Sequence, residues 1–133
     1  MPVFQSRASQ LAAGFSRIHG LEPNKPTDFK ADPALAEIGG KLAGAEGFGC
    51  TTCHAIGGQR ATAAFEVEGI NFHLIPERLR EEYFKRWMDN PKSITPSTKM
   101  PRYSTGNQSP RTDVLEGDAA KQYDAIWHYL HAR

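Results

Sequence analysis

Cys50, Cys53 and His54 stand together in the run Cys-Thr-Thr-Cys-His. This Cys-x-x-Cys-His spacing is the attachment signature of c-type haem, because two thiols one short turn apart can each add to a haem vinyl group. The thioether bonds would tether the macrocycle, and the adjacent imidazole of His54 would become the proximal ligand of its iron. The run therefore predicts one covalently bound haem c and an electron-carrying role.

Met100 is the best-placed candidate for the sixth iron ligand, in the stretch 97–103. A thioether is a soft donor that favours ferrous over ferric iron, so ligation by histidine and methionine raises the reduction potential. An iron with both axial positions filled passes electrons and binds no substrate. Pro101 restrains this segment, which should keep reorganisation small when the iron changes oxidation state. Met88 is a rival on paper, but its place at the end of a helix favours packing.

Several other side chains are weaker candidates for the haem pocket. Arg60 could donate to a propionate or be an exposed charge. Trp87 has one N–H to satisfy if buried, for which a propionate and plain core packing are alternatives. Tyr103 could form a hydrogen bond near the haem edge or fill space. His73 could rival Met100, although a solvated side chain is the commoner state of such a histidine.

These pieces occur in an order that resembles the class I cytochrome c family. They are Cys50–His54, Gly69–Phe72, a helix-like stretch over Pro76–Met88, the loop carrying Met100, and a final helix ending near Leu130. The resemblance covers roughly residues 32–133, a usual domain length. It implies an all-α cytochrome c fold, with three main helices around one haem whose edge alone is exposed, where Cys50 and Cys53 are expected to lie near the surface. It also implies a carrier cycling between Fe(II) and Fe(III), not an enzyme.

One departure from the family pattern concerns the residue after Gly69. The family usually has Gly-Pro where this chain has Gly69-Ile70. The carbonyl of that proline commonly accepts the N–H of the proximal imidazole. Because such a partner orients the ligand and tunes its basicity, the hydrogen-bond partner of His54 is left open.

Charge and composition restrict the partners and the compartment. Sixteen basic and fifteen acidic residues among 133 give a formal charge of +1, which favours neither nucleic acid nor an anionic membrane. The resemblance implies short-lived docking with redox partner proteins, alone or within a larger redox complex. It also implies haem attachment outside the cytoplasmic membrane, so we expect a periplasmic or otherwise extracytoplasmic location. Neither a transmembrane stretch nor a signal-peptide core is visible, so we infer a mature form, an engineered start or an excised domain.

The chain divides into an N-terminal extension over 1–31 and a haem domain over 32–133. A helix is predicted over 4–18, followed by a proline-punctuated connector over 20–26. The apolar stripe of the 4–18 helix predicts docking on the haem domain or on a partner. The arginines and serines of the same segment also fit a transit-type segment. The stripe is formed by Phe4, Ala8, Leu11, Phe15 and Ile18.

Three helices are predicted within the haem domain. Asp32 should cap a helix that ends near Gly44, Pro76 should open a second, and Asp118 should cap the last. Gly39 and Gly40 lower the propensity of the first helix; in the resembling family, a glycine near here lets the first and last helices cross closely. Loops are predicted over 55–75 and 104–117, with a proline-broken extended segment over 91–101.

Two other classes of function remain open. A haem enzyme or gas sensor would leave Met100 off the iron or readily displaced. A haem-free protein would use Cys50 and Cys53 in a zinc site or as a redox dithiol, although neither the zinc spacing nor a βαβ pattern is present. A metal shared by His128 and His131 is less expected than histidines that complement a helix C-terminus.

Overall fold

The computed structural model describes residues 7–18, 22–23, 29–63 and 68–132, and its regular structure is helical. Isolated bridges are the only β-type pairings in this part of the chain, in agreement with the predicted all-α class. The α-helices are α1 (Ala8–Ile18), α2 (Pro33–Ala43), α3 (Ile75–Arg78), α4 (Glu81–Asp89), α5 (Pro91–Ile94) and α6 (Ala119–His131). Short 3₁₀ turns occur at Cys50–Thr52, Phe72–Leu74 and Leu115–Gly117. None of the helices within these described ranges combines the length and the apolar character that crossing a bilayer requires.

Helices α2 and α6 begin at the two aspartates predicted as caps. The Asp32 carboxylate accepts the backbone N–H of Ala34 at 2.8 Å, and the Asp118 carboxylate accepts that of Lys121 at 3.1 Å. Each bond satisfies a donor that has no partner inside its helix. Pro33 occupies the first position of α2, where its missing N–H costs nothing. Local sequence therefore fixes where both helices start.

A close helix crossing accounts for the two glycines inside α2. A Cβ atom on Gly39 would overlap the carbonyl oxygen of Ala125 in α6, and one on Gly40 would meet the Tyr129 ring at 3.0 Å. Each glycine lowers helix propensity by about 1 kcal/mol relative to alanine, but these two allow the backbones to approach. The expected close crossing of the first and last helices is confirmed.

The apolar face of α6 lies at the centre of the core. Its four predicted inward residues are all buried: Tyr123, Ile126, Trp127 and Leu130. Helix α4 packs on α6 through Phe84, whose ring centroid lies 5.1 Å from that of Trp127. Beside this contact, Lys85 Nζ pairs with Asp124 at 2.8 Å and with Glu81 at 2.6 Å. Burial lowers the pKa of Lys85, but the two carboxylates outweigh burial and hold that pKa above its usual value.

Two helix boundaries differ from the predictions. The helix predicted over Pro76–Met88 is divided into α3 and α4, because Leu79 and Arg80 adopt extended backbone conformations. Leu79 and Tyr83 are four residues apart, which is the spacing of one face of a continuous helix. The spacing of apolar residues therefore gives no sign of the break. Pro91, predicted to break helical structure, starts the short helix α5. Proline is compatible with a first helical turn, whose N–H groups have no partner inside the helix.

The polar segment 104–117 is a loop, as predicted, and it is tied closely to the last helix. Ser104 and Ser109 are buried within it. Gln122 of α6 is fully buried, and its Nε2 donates to the carbonyl oxygens of Arg111 at 2.8 Å and Val114 at 2.6 Å. Because buried amides need hydrogen-bond partners, this glutamine fixes the loop in place.

Helix α1 leaves its apolar stripe exposed. No residue of α1 is buried, and Leu11, Phe15 and Ile18 are 55%, 62% and 78% exposed. The predicted docking of this stripe on the haem domain is therefore absent among the described residues, and docking on a partner stays a prediction. Arg80 makes the observed attachment, donating to Ser16 Oγ at 3.0 Å and to the Glu22 carbonyl at 2.8 Å. Residues 4–6 of the predicted helix and most of the connector lie outside the described residues.

Replacing Gly39 with alanine tests the helix crossing. The added methyl group would overlap the Ala125 backbone, so the free energy of unfolding in denaturant titrations should fall by about 1–3 kcal/mol. Gly58→Ala is the matched control, because its added methyl group would meet open space. Equal stability of the two variants would contradict a close crossing at Gly39.

Candidate functional site

A cavity of about 950 Å³ lies between α4, α6, the 3₁₀ turn at Cys50 and the Met100 strap, defined here as residues 97–103. Sites for small molecules and cofactors usually measure roughly 300–1,000 Å³. The lining is mainly apolar and aromatic, with a few sulfur, hydroxyl and ring-nitrogen atoms. All four predicted ligating residues are among the lining residues: Cys50, Cys53, His54 and Met100.

The two cysteines lie on a single turn of 3₁₀ helix. Gly49 precedes it with a φ of +67°, a left-handed conformation suited to glycine. The backbone N–H of Cys53 and that of His54 then donate to the Cys50 carbonyl at 3.1 Å and 2.9 Å. This turn brings both thiols and the imidazole to one wall of the cavity. The expectation that both cysteines lie near the surface is wrong for Cys50, which is 7% exposed, because it packs in the core cluster.

Burial around this turn favours neutral side chains. Burial raises the pKa of the Cys50 thiol to about 11, and the neighbouring Cys53 adds to the rise. Burial also raises the pKa of the Tyr103 phenol, again with the two cysteines contributing. A charged form loses hydration in such surroundings, so both groups stay protonated at neutral pH.

The His54 side chain is held by a main-chain acceptor. Its Nδ1 lies 2.8 Å from the carbonyl oxygen of Ile70. A carbonyl can only accept, so Nδ1 carries the hydrogen and the neutral ring keeps Nε2 as an unprotonated nitrogen that can bind a metal. The Phe72 ring stacks on the imidazole with centroids 4.9 Å apart. The hydrogen-bond partner that the sequence left open is therefore the backbone of Ile70.

Gly69 and Asn71 hold this acceptor in position. The N–H of Gly69 donates to the Cys53 carbonyl at 2.7 Å, and a Cβ atom on Gly69 would overlap the His54 ring. The Asn71 side chain accepts from the N–H of Gly57 at 2.9 Å and donates to the carbonyl of Gly57 at 2.8 Å. These contacts close the loop across the imidazole.

Met100 also lines the cavity, where it is held by α4 and by its own strap. Its backbone N–H donates to Thr98 Oγ1 at 3.2 Å. Two residues further on, Arg102 Nε donates to the Asp89 carbonyl at 2.9 Å, which fastens the strap to the end of α4. Trp87 Nε1 lies 2.8 Å from Met100 Sδ and donates to it. The acceptor of the Trp87 N–H is thus the methionine sulfur in this structure.

The remaining candidates lie in different places. Tyr103 and Met88 line the cavity, and Met88 is also buried in the core, as predicted. Arg60 is not among the lining residues and donates to the Glu68 carboxylate at 3.3 Å, so its contact with a propionate stays a prediction. His73 is exposed.

The two C-terminal histidines make separate contacts. His128 Nδ1 accepts the backbone N–H of Asp32 at 2.9 Å, and His131 Nδ1 lies 3.0 Å from the Trp127 carbonyl. The Asp32 contact joins the last helix to the start of α2. No group of three or more potential metal-binding side chains of the His, Cys, Asp and Glu types occurs among the residues the structure describes.

Comparisons of this chain with protein-family models, with curated proteins and with solved structures return no match.

The reactivity of the two thiols should differ in protein prepared without attached haem. The thiolate is the reactive form, and a pKa of about 11 leaves only about one Cys50 thiol in a thousand ionised at pH 8. Alkylation of Cys50 by iodoacetamide should therefore be slow at pH 8 and accelerate about tenfold per pH unit up to about pH 11.

Single variants allow each thiol to be measured alone. Cys53→Ser leaves Cys50, and Cys50→Ser leaves the less buried Cys53 as the comparison. The rate of mass gain over a pH series gives the two profiles. Rapid labelling of Cys50 at pH 8 would contradict its burial in this turn.

Proposed function

We propose that this chain is an electron-transfer cytochrome of the c type that carries one haem c. In this proposal Cys50 and Cys53 form the thioether bonds, and His54 and Met100 are the axial ligands. The observation that carries the proposal is the hydrogen bond of 2.8 Å between His54 Nδ1 and the Ile70 carbonyl. It leaves Nε2 free for iron, in a side chain that lines the same cavity as Met100.

Three features of the described residues fit a haem. Two thiols and an imidazole share one wall of the cavity, which is the donor set that covalent attachment and proximal ligation require. The volume of about 950 Å³ can hold a large cofactor. Gly69 leaves room for the His54 ring, where any larger side chain would collide with it.

When bound, the haem would supply one-electron Fe(II)/Fe(III) chemistry. The chain's own residues would set how readily that electron moves. His54 and Met100 would fill both axial positions, and the thioether favours the ferrous state. The mainly apolar lining would disfavour the additional positive charge of ferric iron, which also raises the reduction potential.

The attachment of the strap supports a carrier over a haem enzyme or gas sensor. A displaceable ligand needs a segment that can move away from the iron. Here the strap is bound to α4 through Arg102, which donates to the Asp89 carbonyl at 2.9 Å, and it is braced within itself by the Met100 N–H, which donates to Thr98 Oγ1 at 3.2 Å. Such anchoring keeps reorganisation small, which suits rapid electron transfer.

The proposal extends to partner and location. Redox proteins would dock briefly at the haem edge, through a small interface, whether this chain works alone or within a larger redox complex. Covalent haem attachment would take place outside the cytoplasmic membrane, so the proposed location is periplasmic or otherwise extracytoplasmic.

The spectrum of the denatured protein in alkaline pyridine tests the cofactor. Protein matured in a host that attaches haem should give a c-type haemochrome, and Met100→Ala should retain it because both thioether bonds remain. In folded Met100→Ala, imidazole and carbon monoxide should bind the iron readily, whereas the wild type should resist both.

Met88→Leu is the control for a second cavity-lining methionine, and it conserves volume. It should leave the axial spectrum unchanged. Colourless wild-type protein after haem maturation would overturn the proposal, and an unchanged axial spectrum in Met100→Ala would assign the sixth position to another residue.

Gly69→Ala tests the support of the proximal ligand. Its methyl group would overlap the His54 ring, so it should displace the imidazole from its Ile70 contact and weaken proximal ligation. Absorbance and electron paramagnetic resonance should then report a fraction of high-spin iron. Gly58→Ala, at an exposed position with open space, should remain low-spin, and identical spectra for the two variants would contradict the role assigned to Gly69.

A further inference from the structure

We infer that Trp87 is a positioning residue for the sixth ligand, acting through the Met100 sulfur: its indole N–H orients the thioether and withdraws electron density from it, which raises the reduction potential. This inference rests on the proposed function, because it assigns a regulator of the proposed iron site. Trp87 itself would not bind the iron.

The geometry joins the two side chains directly. Trp87 Nε1 lies 2.8 Å from Met100 Sδ, and both residues line the same cavity. Indole nitrogen is only a donor, so the sulfur must be the acceptor. A thioether sulfur has two lone pairs, and a hydrogen bond to one leaves the other for a metal. The contact therefore restricts which side of the sulfur can face the iron.

Trp87 is itself held by the packing of α4. Its ring stacks on that of Tyr83, one helical turn earlier, with centroids 6.2 Å apart. The Arg86 guanidinium lies over the Tyr83 ring, 5.6 Å from its centroid. Phe84 and Lys85 fasten the same helix to α6. The donor is thus carried by a rigid element, whereas the methionine is carried by a loop.

The electronic effect has a definite sign. An N–H bonded to the sulfur lowers its ability to donate to iron, and ferric iron depends on that donation more than ferrous iron does. The hydrogen bond therefore favours the ferrous state and weakens the sulfur bond to ferric iron. Removing it should lower the potential and make the methionine harder to displace from ferric iron.

Trp87→Phe in the haem-loaded protein tests this sign, because it removes the N–H and keeps an aromatic ring. A net hydrogen-bond contribution of about 0.5–1.5 kcal/mol corresponds to roughly a two- to tenfold change. The affinity of the ferric protein for imidazole should fall by that factor. The midpoint potential should fall by about 18–59 mV, which is the same factor converted for one electron.

Trp127→Phe is the matched control. Trp127 is buried, its Nε1 has no hydrogen-bond partner among the described residues, and it does not line the cavity. It should lose stability on substitution while keeping the wild-type potential and imidazole affinity. A purely structural role for Trp87 would loosen the strap and raise imidazole affinity, which is the opposite of the expected result and would overturn the inference.

A measurement on the wild-type ferrous protein needs no variant. The chain has two tryptophans, so two indole N–H signals are expected. One of them should show a nuclear Overhauser effect to the Met100 side-chain protons, and the absence of this effect would overturn the inference.

If the wild type has a haem without methionine ligation, the proposed function fails together with the inference. If ligation is intact and Trp87→Phe matches Trp127→Phe, the inference alone fails.

Discussion

The close approach of α2 and α6 at Gly39 is the constraint on which the site depends. Helix α6 contributes Leu130 to the cavity wall, and the chain leaving α2 passes through Phe48 into the turn at Cys50. Phe48 also packs against Tyr103 of the strap, with ring centroids 4.8 Å apart. The thiol turn and the strap are therefore positioned by the same helix pair. A change in the crossing would move the two walls of the cavity relative to each other.

The two walls are held by different kinds of contact. On the side of His54 the acceptor is a backbone carbonyl, which every residue type supplies, so isoleucine at position 70 can provide the same acceptor as proline. On the side of Met100 the contacts depend on particular side chains, those of Trp87, Thr98 and Arg102. Substitution on that side should consequently alter the site more readily than substitution at position 70.

The sequence carried the information that is local or periodic. The caps at Asp32 and Asp118 and the buried face of α6 each follow from a short pattern with a direct physical cause, whereas the glycine crossing was expected from the resemblance to the cytochrome c family. The break between α3 and α4 did not, because it preserves the periodic spacing on either side. The Trp87 contact with Met100 was also missed, since a side-chain pair from different elements leaves no mark in spacing. The hydrogen bond from the Met100 N–H to the Thr98 hydroxyl spans two residues, and this local pattern could have been predicted from the sequence.

Burial and covalent attachment reinforce each other in the proposed function. The surroundings that raise the pKa of Cys50 to about 11 resist negative charge on its sulfur. The buried thiol is therefore neutral at neutral pH, and a thioether bond would keep that sulfur neutral at every pH. The same apolar cavity would oppose the added positive charge of ferric iron. One apolar cavity would therefore favour both a neutral sulfur at Cys50 and the ferrous state of the iron.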